Sequence, residues 1–528
     1  MQGEKPLKRS PKIGRCRFAA RERIMKKIRV FAIAMIVFAM LSAVGCTACK
    51  DEEPESEYAV SLSVSVDGGT VTGTATEDGE VAVYKGIPYA APPVGDLRWR
   101  APQPVEPWEG ELDCTLWGAN ALQGDAGVFS YWTEEFIQDT NPEHYRGGVV
   151  YSEDCLTLNV WSSYAVTKNK PVLVFIHGGG YNTGGASCEV YDGETIARDG
   201  VVFVSIQYRV GALGYMATPA LIAESEHSGA GNYGLLDQIA ALEWVRDNIA
   251  DFGGDPDNVT VFGQSAGAGS VNALICSPLA QGLFTKAVSA SHNSVTRNWQ
   301  TVDERCKQLG LSYNGKKYSA MTVEELRAIP SSELKGKTLS TGGPCVDGYA
   351  LTGTYSRTVK DKKHNGVKLM SGNVERDELI SSVYTNAAKK ITARDSMLAL
   401  QNALGKLRAA AGDDETYIYI FGHNVPRSAS GSDDPSGPKH SYELAYFFGN
   451  FSTASGRAWT QADYDLGEKM RRSLVEFCTS GVPDTGDGTE WSVNRGELNY
   501  MSFSGTAELK TMDAEKTAAV EEHYKIFE

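Results

Sequence analysis

Apolar and polar positions alternate along this chain in two rhythms. From Leu156 onward, short apolar and β-branched runs recur at Leu156–Val160, Val172–Ile176, Val201–Ile206 and Val259–Phe262. Continuous runs of this length read as strands buried on both faces. Between them Leu235, Ile239, Leu242, Val245 and Ile249 return every three or four residues, the spacing of one helical face. Strands alternating with helices predict a mainly parallel sheet covered on both sides, with any ligand beyond the carboxyl ends of the strands.

Outside this region the pattern changes. Val60–Val66 and Thr70–Thr76 alternate around Asp67-Gly68-Gly69, which predicts a hairpin, and Val81–Tyr84 predicts a further strand. Gly86–Gly95 holds too much proline for regular structure, and 118–150 has no clear period. Residues 294–415 are more helical and more charged, notably Met321–Ile329 and Ala387–Ala411, and are read as a cap over the site. Lys368–Ser371 and Tyr417–Phe421 are strand-like, 427–439 is a Ser/Gly/Pro/Asp loop, and Asp463–Thr479 predicts a terminal amphipathic helix.

The N-terminus belongs to targeting rather than fold. Residues 1–45 carry 11 Lys/Arg against 2 acids, which leaves 40 basic and 64 acidic residues in the rest. Lys26, Lys27 and Arg29 precede Val30–Met40, an apolar run too short to span a bilayer. Ser42-Ala43-Val44-Gly45 then leads into Cys46, an order that resembles a bacterial lipoprotein signal with Cys46 as the lipidated residue. Residues 1–45 are thus expected to be a signal peptide, 46–57 an acidic tether, and 58–528 the functional domain. The lead before Met25 is compatible with a start at Met25. Export with membrane anchoring through lipid is the expectation, and free secretion after ordinary cleavage is the alternative. The acidic body argues against nucleic-acid binding, which needs a basic face. Ten cysteines, seven of them beyond the tether and without a C-x-x-C pair among those seven, indicate neither a zinc site nor a disulfide scaffold.

Chemistry concentrates after the Val259–Phe262 strand. Gly263-Gln264-Ser265-Ala266-Gly267 sets a serine between two glycines, with a strand before it and small, helix-compatible residues after it. A strand-to-helix turn this sharp exposes a serine as a nucleophile. Such a serine needs a base, and an imidazole is the usual one. Of the histidines that follow it with an acid between, His423, His440 and His523 remain, and His440 is favoured because it ends a long loop just before the Leu444–Phe448 run. His177-Gly178-Gly179-Gly180-Tyr181 directly follows the Val172–Ile176 strand, so N–H groups there, with that of Ala266, suit an oxyanion. The glycines do not satisfy G-x-G-x-x-G, and the one Gly-Lys-Thr, Gly336-Lys337-Thr338, has Ser331 where G-x-x-x-x-G-K-[ST] needs glycine, so a dinucleotide loop and a P-loop are both excluded.

These residues, with Gly86-Ile87-Pro88-Tyr89-Ala90, Pro92–Trp99, Glu153-Asp154-Cys155-Leu156, Gly231-Asn232-Tyr233-Gly234-Leu235 and Val346-Asp347-Gly348, resemble the type-B carboxylesterases, the cholinesterase-like branch of the α/β-hydrolases. The resemblance implies an α/β-hydrolase fold with a mostly parallel central sheet, flanking helices and helical cap insertions. It also implies a serine ester hydrolase acting on small-molecule esters without metal or organic cofactor. Its site would be Ser265 as nucleophile, His440 as base, and Gly179, Gly180 and Ala266 as oxyanion donors. The acid falls in Gly372-Asn373-Val374-Glu375-Arg376-Asp377-Glu378-Leu379, where Glu378 is the choice and Asp377 and Glu375 are alternatives. The family often pairs the cysteine corresponding to Cys155 with one where Ala121 stands here, so Cys155 is expected to pair elsewhere, with Cys114, or to be a free thiol. Gln264 replaces the glutamate of the cholinesterases, which argues against choline esters. A lipase, amidase or lactone hydrolase with the same triad, and a non-catalytic adhesion protein of the neuroligin kind, are the alternative functions.

Overall fold

In the computed structural model the apolar runs join into one sheet of eleven strands. The structure describes residues 61–527 except 125–133, 165–167, 226, 228, 229, 294, 297, 298, 341, 378–382, 414, 430–436 and 453. In chain order the strands are β1 (Thr74–Ala75), β2 (Val81–Pro88), β3 (Thr157–Ser163), β4 (Lys170–Ile176), β5 (Val202–Ile206), β6 (Gly254–Gln264), β7 (Lys286–Ala290), β8 (Lys368–Val374), β9 (Thr416–Phe421), β10 (Asn499–Phe503) and β11 (Ala507–Thr511). Across the sheet they run β11-β10-β9-β8-β7-β6-β4-β5-β3-β2-β1. The pairings from β5 through β10 are parallel, and those at the two flanks are antiparallel. A separate antiparallel hairpin, Ser63–Val66 with Gly69–Thr72, forms around the predicted turn.

Both faces of the central strands are buried, as their unbroken apolar composition requires. Along β4, Val174 and Ile176 join one apolar cluster while Phe175 joins the other, and Val261 and Phe262 divide the same way on β6. One face is covered by α1 (Tyr233–Asn248), α2 (Ala266–Cys276) and α3 (Ala393–Ala411), and the other by α4 (Gln461–Ser480). On the second face Phe262 and Phe448 meet Phe175 edge-on, Phe448 at 5.1 Å between centroids, while Phe203 stacks on Phe175. Each such side chain contributes about 1.5–3 kcal/mol on burial. The middle of the sheet is therefore packed on both faces, and β6 is its central strand.

Three elements depart from the pattern-based expectation. β7 was not anticipated because Lys286-Ala287-Val288-Ser289-Ala290 is short and carries a lysine, yet all five residues are buried between β6 and β8. The helix at 461–480 is not terminal: β10, β11 and α5 (Ala514–Tyr524) follow it. α3 is not part of a cap either, since it packs on β8, β9 and α5. Of the predicted cap, residues between Thr296 and Pro344, with Val383, line the cavity described below. The signal, the tether and Cys46 lie outside the described residues, and Tyr58–Glu528 forms one compact unit. Among the described residues no helix is long and apolar enough to cross a membrane.

Candidate active site

β6 ends at Gln264 and α2 begins at Ala266, so a single residue, Ser265, makes the turn between them. Its backbone sits at φ 59°, ψ −124°, outside the regions open to most L-residues. Strain of this kind costs about 1–3 kcal/mol and persists only where the surroundings over-determine it. The flanking glycines are the reason it can form. A β-carbon on Gly263 would collide with the backbone of Gly267, and one on Gly267 would collide with the carbonyl of Ile176 at the end of β4. α2 thus rests directly on sheet backbone, and its first N–H, that of Ala266, has no partner within the helix.

The next strand over, β4, delivers the glycine loop. A β-carbon on Gly178 would stand 3.0 Å from both the Ser265 β-carbon and the Gln264 carbonyl, so only glycine lets the loop approach the nucleophile. Gly179 and Gly180 hold φ of 110° and 63°, and the Gly179 carbonyl is engaged by the N–H groups of Asn182 and Thr183. His177 anchors the loop from below. It is buried, stacks on Tyr208 with centroids 4.4 Å apart, and is held neutral by burial, which pushes its pKa down to about 4. Gly180, Ser265, Ala266 and His440 all line one cavity of about 780 Å³ at the carboxyl end of the sheet.

His440 arrives from the far side of the sheet, and the residue after it, Ser441, takes a left-handed φ of 79°. Its side chain is 2% exposed. Nδ1–H donates to Asp377 Oδ2 at 2.8 Å, and that carboxylate is itself fully buried. A carboxylate can only accept, so the proton lies on Nδ1 and Nε2 presents a lone pair. That lone pair meets the side-chain amide of Gln264 at 3.2 Å, and the Gln264 carbonyl oxygen accepts from Ser441 Oγ at 3.1 Å. Burial pulls the His440 pKa down, but the charge and hydrogen bond of Asp377, with Glu443 beyond, outweigh it and leave the pKa raised above 6.5. Glu443 is wholly buried, accepts from Ser291 Oγ at 2.5 Å, and is pushed up to about 7 by desolvation.

The structure sorts the candidates. Of the three acids, Asp377 holds the His440 imidazole, whereas Glu375 pairs with Arg394 at 2.8 Å. Glu378, the sequence choice, lies outside the described residues, and the Nδ1 position it would need is taken by Asp377. The stretch is one residue longer than the pattern it was matched to, which leaves the register of the acid open by one position. His423 bonds Asp463 at 2.9 Å and His523 stacks on Tyr384, so both are structural. Glu443 and Ser291 were missed because a buried glutamate inside an aromatic run, and a serine after an unrecognised strand, carry no pattern of their own.

Other quoted segments meet in space. Arg98 grips Glu153 through both carboxylate oxygens at 2.6 and 2.7 Å. Asn232 binds Asp347 at 2.7 Å and both the carbonyl and N–H of Cys345 at 2.8 Å, fastening α1 to the cavity wall. Cys155 does not pair with Cys114: all seven cysteines of the described residues are free thiols. No group of three or more His, Cys, Asp or Glu suited to hold a metal ion occurs among the described residues.

The carboxylesterase family model matches residues 60–406 and 398–522. The fumonisin B1 esterase of Sphingopyxis macrogoltabida is 39% identical over 479 residues, covering 81% of this chain and 84% of that one. The para-nitrobenzyl esterase of Bacillus subtilis (strain 168) is 45% identical over 234 residues, 44% of either chain. Among solved structures, a Geobacillus stearothermophilus carboxylesterase superposes with a TM-score of 0.68 at 27% identity, covering 87% of this chain and all of that one. A thermophilic PNB esterase reaches 0.70 at 26% identity, covering 87% of this chain and 99% of that one. With the sheet order, the strained serine turn and these likenesses together, the chain belongs to the carboxylesterase family of α/β-hydrolases and is a carboxylic-ester hydrolase.

Proposed function

We propose that the protein cleaves esters through an acyl-serine intermediate, with Ser265, His440 and Asp377 as the catalytic triad. The observation that carries this reading is the buried Asp377–His440 hydrogen bond, which aims a lone pair of the imidazole into the cavity that Ser265 enters. Ser265 Oγ attacks the ester carbonyl carbon, and its proton passes to Nε2 of His440. The resulting oxyanion is met by the N–H groups of Gly179, Gly180 and Ala266, fixed before the reaction begins. Collapse breaks the bond to the alcohol, which leaves with the proton from Nε2. Water then repeats the attack on the acyl-serine, gives a proton to His440, and the acid departs as Ser265 recovers its hydrogen. Asp377 keeps its hydrogen bond to Nδ1–H and supports the imidazolium.

Hydrolysis of p-nitrophenyl esters of increasing chain length, by the wild type beside Ser265→Ala, tests this. Turnover lost in the variant, with an initial burst in the wild type, is the expected result. Equal turnover in both would remove Ser265 from the mechanism. The chain-length profile separates an esterase from a lipase, and matched amides and lactones test the remaining alternatives. The neuroligin-like adhesion reading is disfavoured because nucleophile, base and acid are all present.

The N-terminal pattern supports a second part of the proposal, export and attachment to a bacterial envelope through lipid on Cys46. Labelled palmitate should be incorporated by the full chain and lost on Cys46→Ser. Label retained in that variant would overturn it.

A further inference from the structure

The Gln264 side chain is 2% exposed and pinned at both ends, its oxygen by Ser441 Oγ and its nitrogen by His440 Nε2. That second contact occupies the atom which, in the mechanism above, must accept the Ser265 proton. Gln264 and Ser265 are consecutive, so the strained turn that raises the serine also aims the amide. The charged groups bearing on His440 are Asp377, from the loop after β8, and Glu443, at the start of the helix Glu443–Phe448. Gln264, from β6, and Ser441 are neutral, and His292, after β7, is buried on the same cavity wall. Asp377, joined by Glu443 where that group is ionised, thus presses toward an imidazolium, and a neutral donor on Nε2 opposes it. An amide N–H can satisfy Nε2 only while that atom lacks a proton.

We propose that Gln264 is a positioning residue for the base: its amide holds His440 as the neutral Nδ1–H tautomer and occupies Nε2 until the Ser265 hydroxyl replaces it. This rests on the triad reading given above. A glutamate here would reverse the logic, because a carboxylate could only accept from a protonated Nε2. The side chain at position 264 then decides the protonation state in which the base waits.

The test compares Gln264→Glu, Gln264→Met and wild type, with pH profiles of kcat/KM on a neutral p-nitrophenyl ester. In Gln264→Glu the acid limb should move up by about one pH unit or more, a loss of roughly tenfold at pH 6 that largely recovers on the alkaline plateau. Gln264→Met keeps the volume but removes the donor, so kcat should fall several-fold at unchanged KM without that upward shift. The titration of the His440 ring, read by nitrogen NMR in a Ser265→Ala background, follows the same groups without turnover. It should rise in Gln264→Glu and not in Gln264→Met. Absence of ester turnover in the wild type would defeat the triad reading while leaving the ring titration to decide this one. An unshifted ring titration and acid limb in Gln264→Glu, or identical profiles for the two variants, would overturn it. Should Gln264→Glu not fold, Gln264→Met decides alone, and wild-type kcat in that variant counts against the proposal.

Discussion

Asp377 Oδ2 and His440 Nδ1 stand 2.8 Å apart, 63 positions distant in the chain and both out of contact with solvent. An amide in place of that carboxylate keeps the shape but can turn its N–H toward Nδ1, which forces the proton onto Nε2 and removes the base. Asp377→Asn should therefore lose about 10⁴-fold in kcat while the fold survives, by analogy with the same exchange in serine proteases. Glu378→Gln should stay within a few-fold of wild type. Steady-state kinetics of the two variants check the assignment, and the reverse ranking would return the role to Glu378.

The base works only when deprotonated, so activity must rise with pH through the pKa of His440. That pKa lies above the ordinary 6.5 because the charge and hydrogen bond of Asp377, with a smaller contribution from Glu443, outweigh burial. The acid limb of kcat/KM should accordingly fall above pH 6.5 rather than below it. Glu443 takes on its charge only near pH 7, so Glu443→Gln should shift the upper part of the limb downward. Since burial holds Glu443 protonated up to about pH 7, the native state retains a proton that the unfolded chain releases near 4.5. Wild-type stability therefore declines from this group as pH rises from 4.5 through 7, and Glu443→Gln should flatten that decline in denaturant titrations. A limb that does not move in the variant would count against coupling between Glu443 and His440.

Much of this was legible in the sequence because it rests on backbone requirements. Gly263 and Gly267 had to be small for the turn at Ser265, and their spacing revealed it. β4, β5 and β6 were visible because their segments buried on both faces, Val172–Ile176, Val202–Ile206 and Val259–Phe262, are predominantly apolar. β7 was hidden because alanine and serine fill a strand as well as valine does once neighbours on both sides bury it. The acid was left open among three carboxylates for a different reason. Glu375, Asp377 and Glu378 are chemically interchangeable in a pattern, and only the path of the chain after β8 decides which carboxylate meets His440. Gln264 could be seen as a departure, but its contact with Nε2 depends on the strained turn and on Ser441, and neither contact has a sequence spacing.

Three glycines offer a graded test of the turn. A β-carbon on Gly178 would press on the Ser265 β-carbon at 3.0 Å and displace the nucleophile without touching the core. Gly178→Ala should fold and lose about 10²-fold in kcat, as small displacements of reacting groups do. Gly267→Ala drives α2 off the Ile176 carbonyl and should destabilise by more than about 4 kcal/mol, in the range reserved for severe core disruption. Gly79 has φ 74° with nothing near it, so Gly79→Ala should cost only about 1 kcal/mol and leave kinetics unchanged. Urea titrations beside kcat separate the three, and equal effects at all sites would show that clashes at the turn do not control activity.

The thiols give a test that does not depend on catalysis. Cys114, Cys155, Cys188, Cys276, Cys345 and Cys478 are buried, and Cys306 alone among the cysteines of the described residues is partly exposed. Burial raises all of them, Cys114 up to about 11 and Cys345 and Cys478 up to about 12, so thiolate is scarce at neutral pH. Cys306 is raised too, but it is reachable. In the chain from Tyr58 onward, Ellman's reagent should label one thiol slowly in the native state and seven once denaturant is added. Reductant should leave the melting temperature unchanged, since there is no cross-link to lose. Five thiols in the denatured protein, or a fall in melting temperature on reduction, would establish a disulfide and revive the pairing of Cys155.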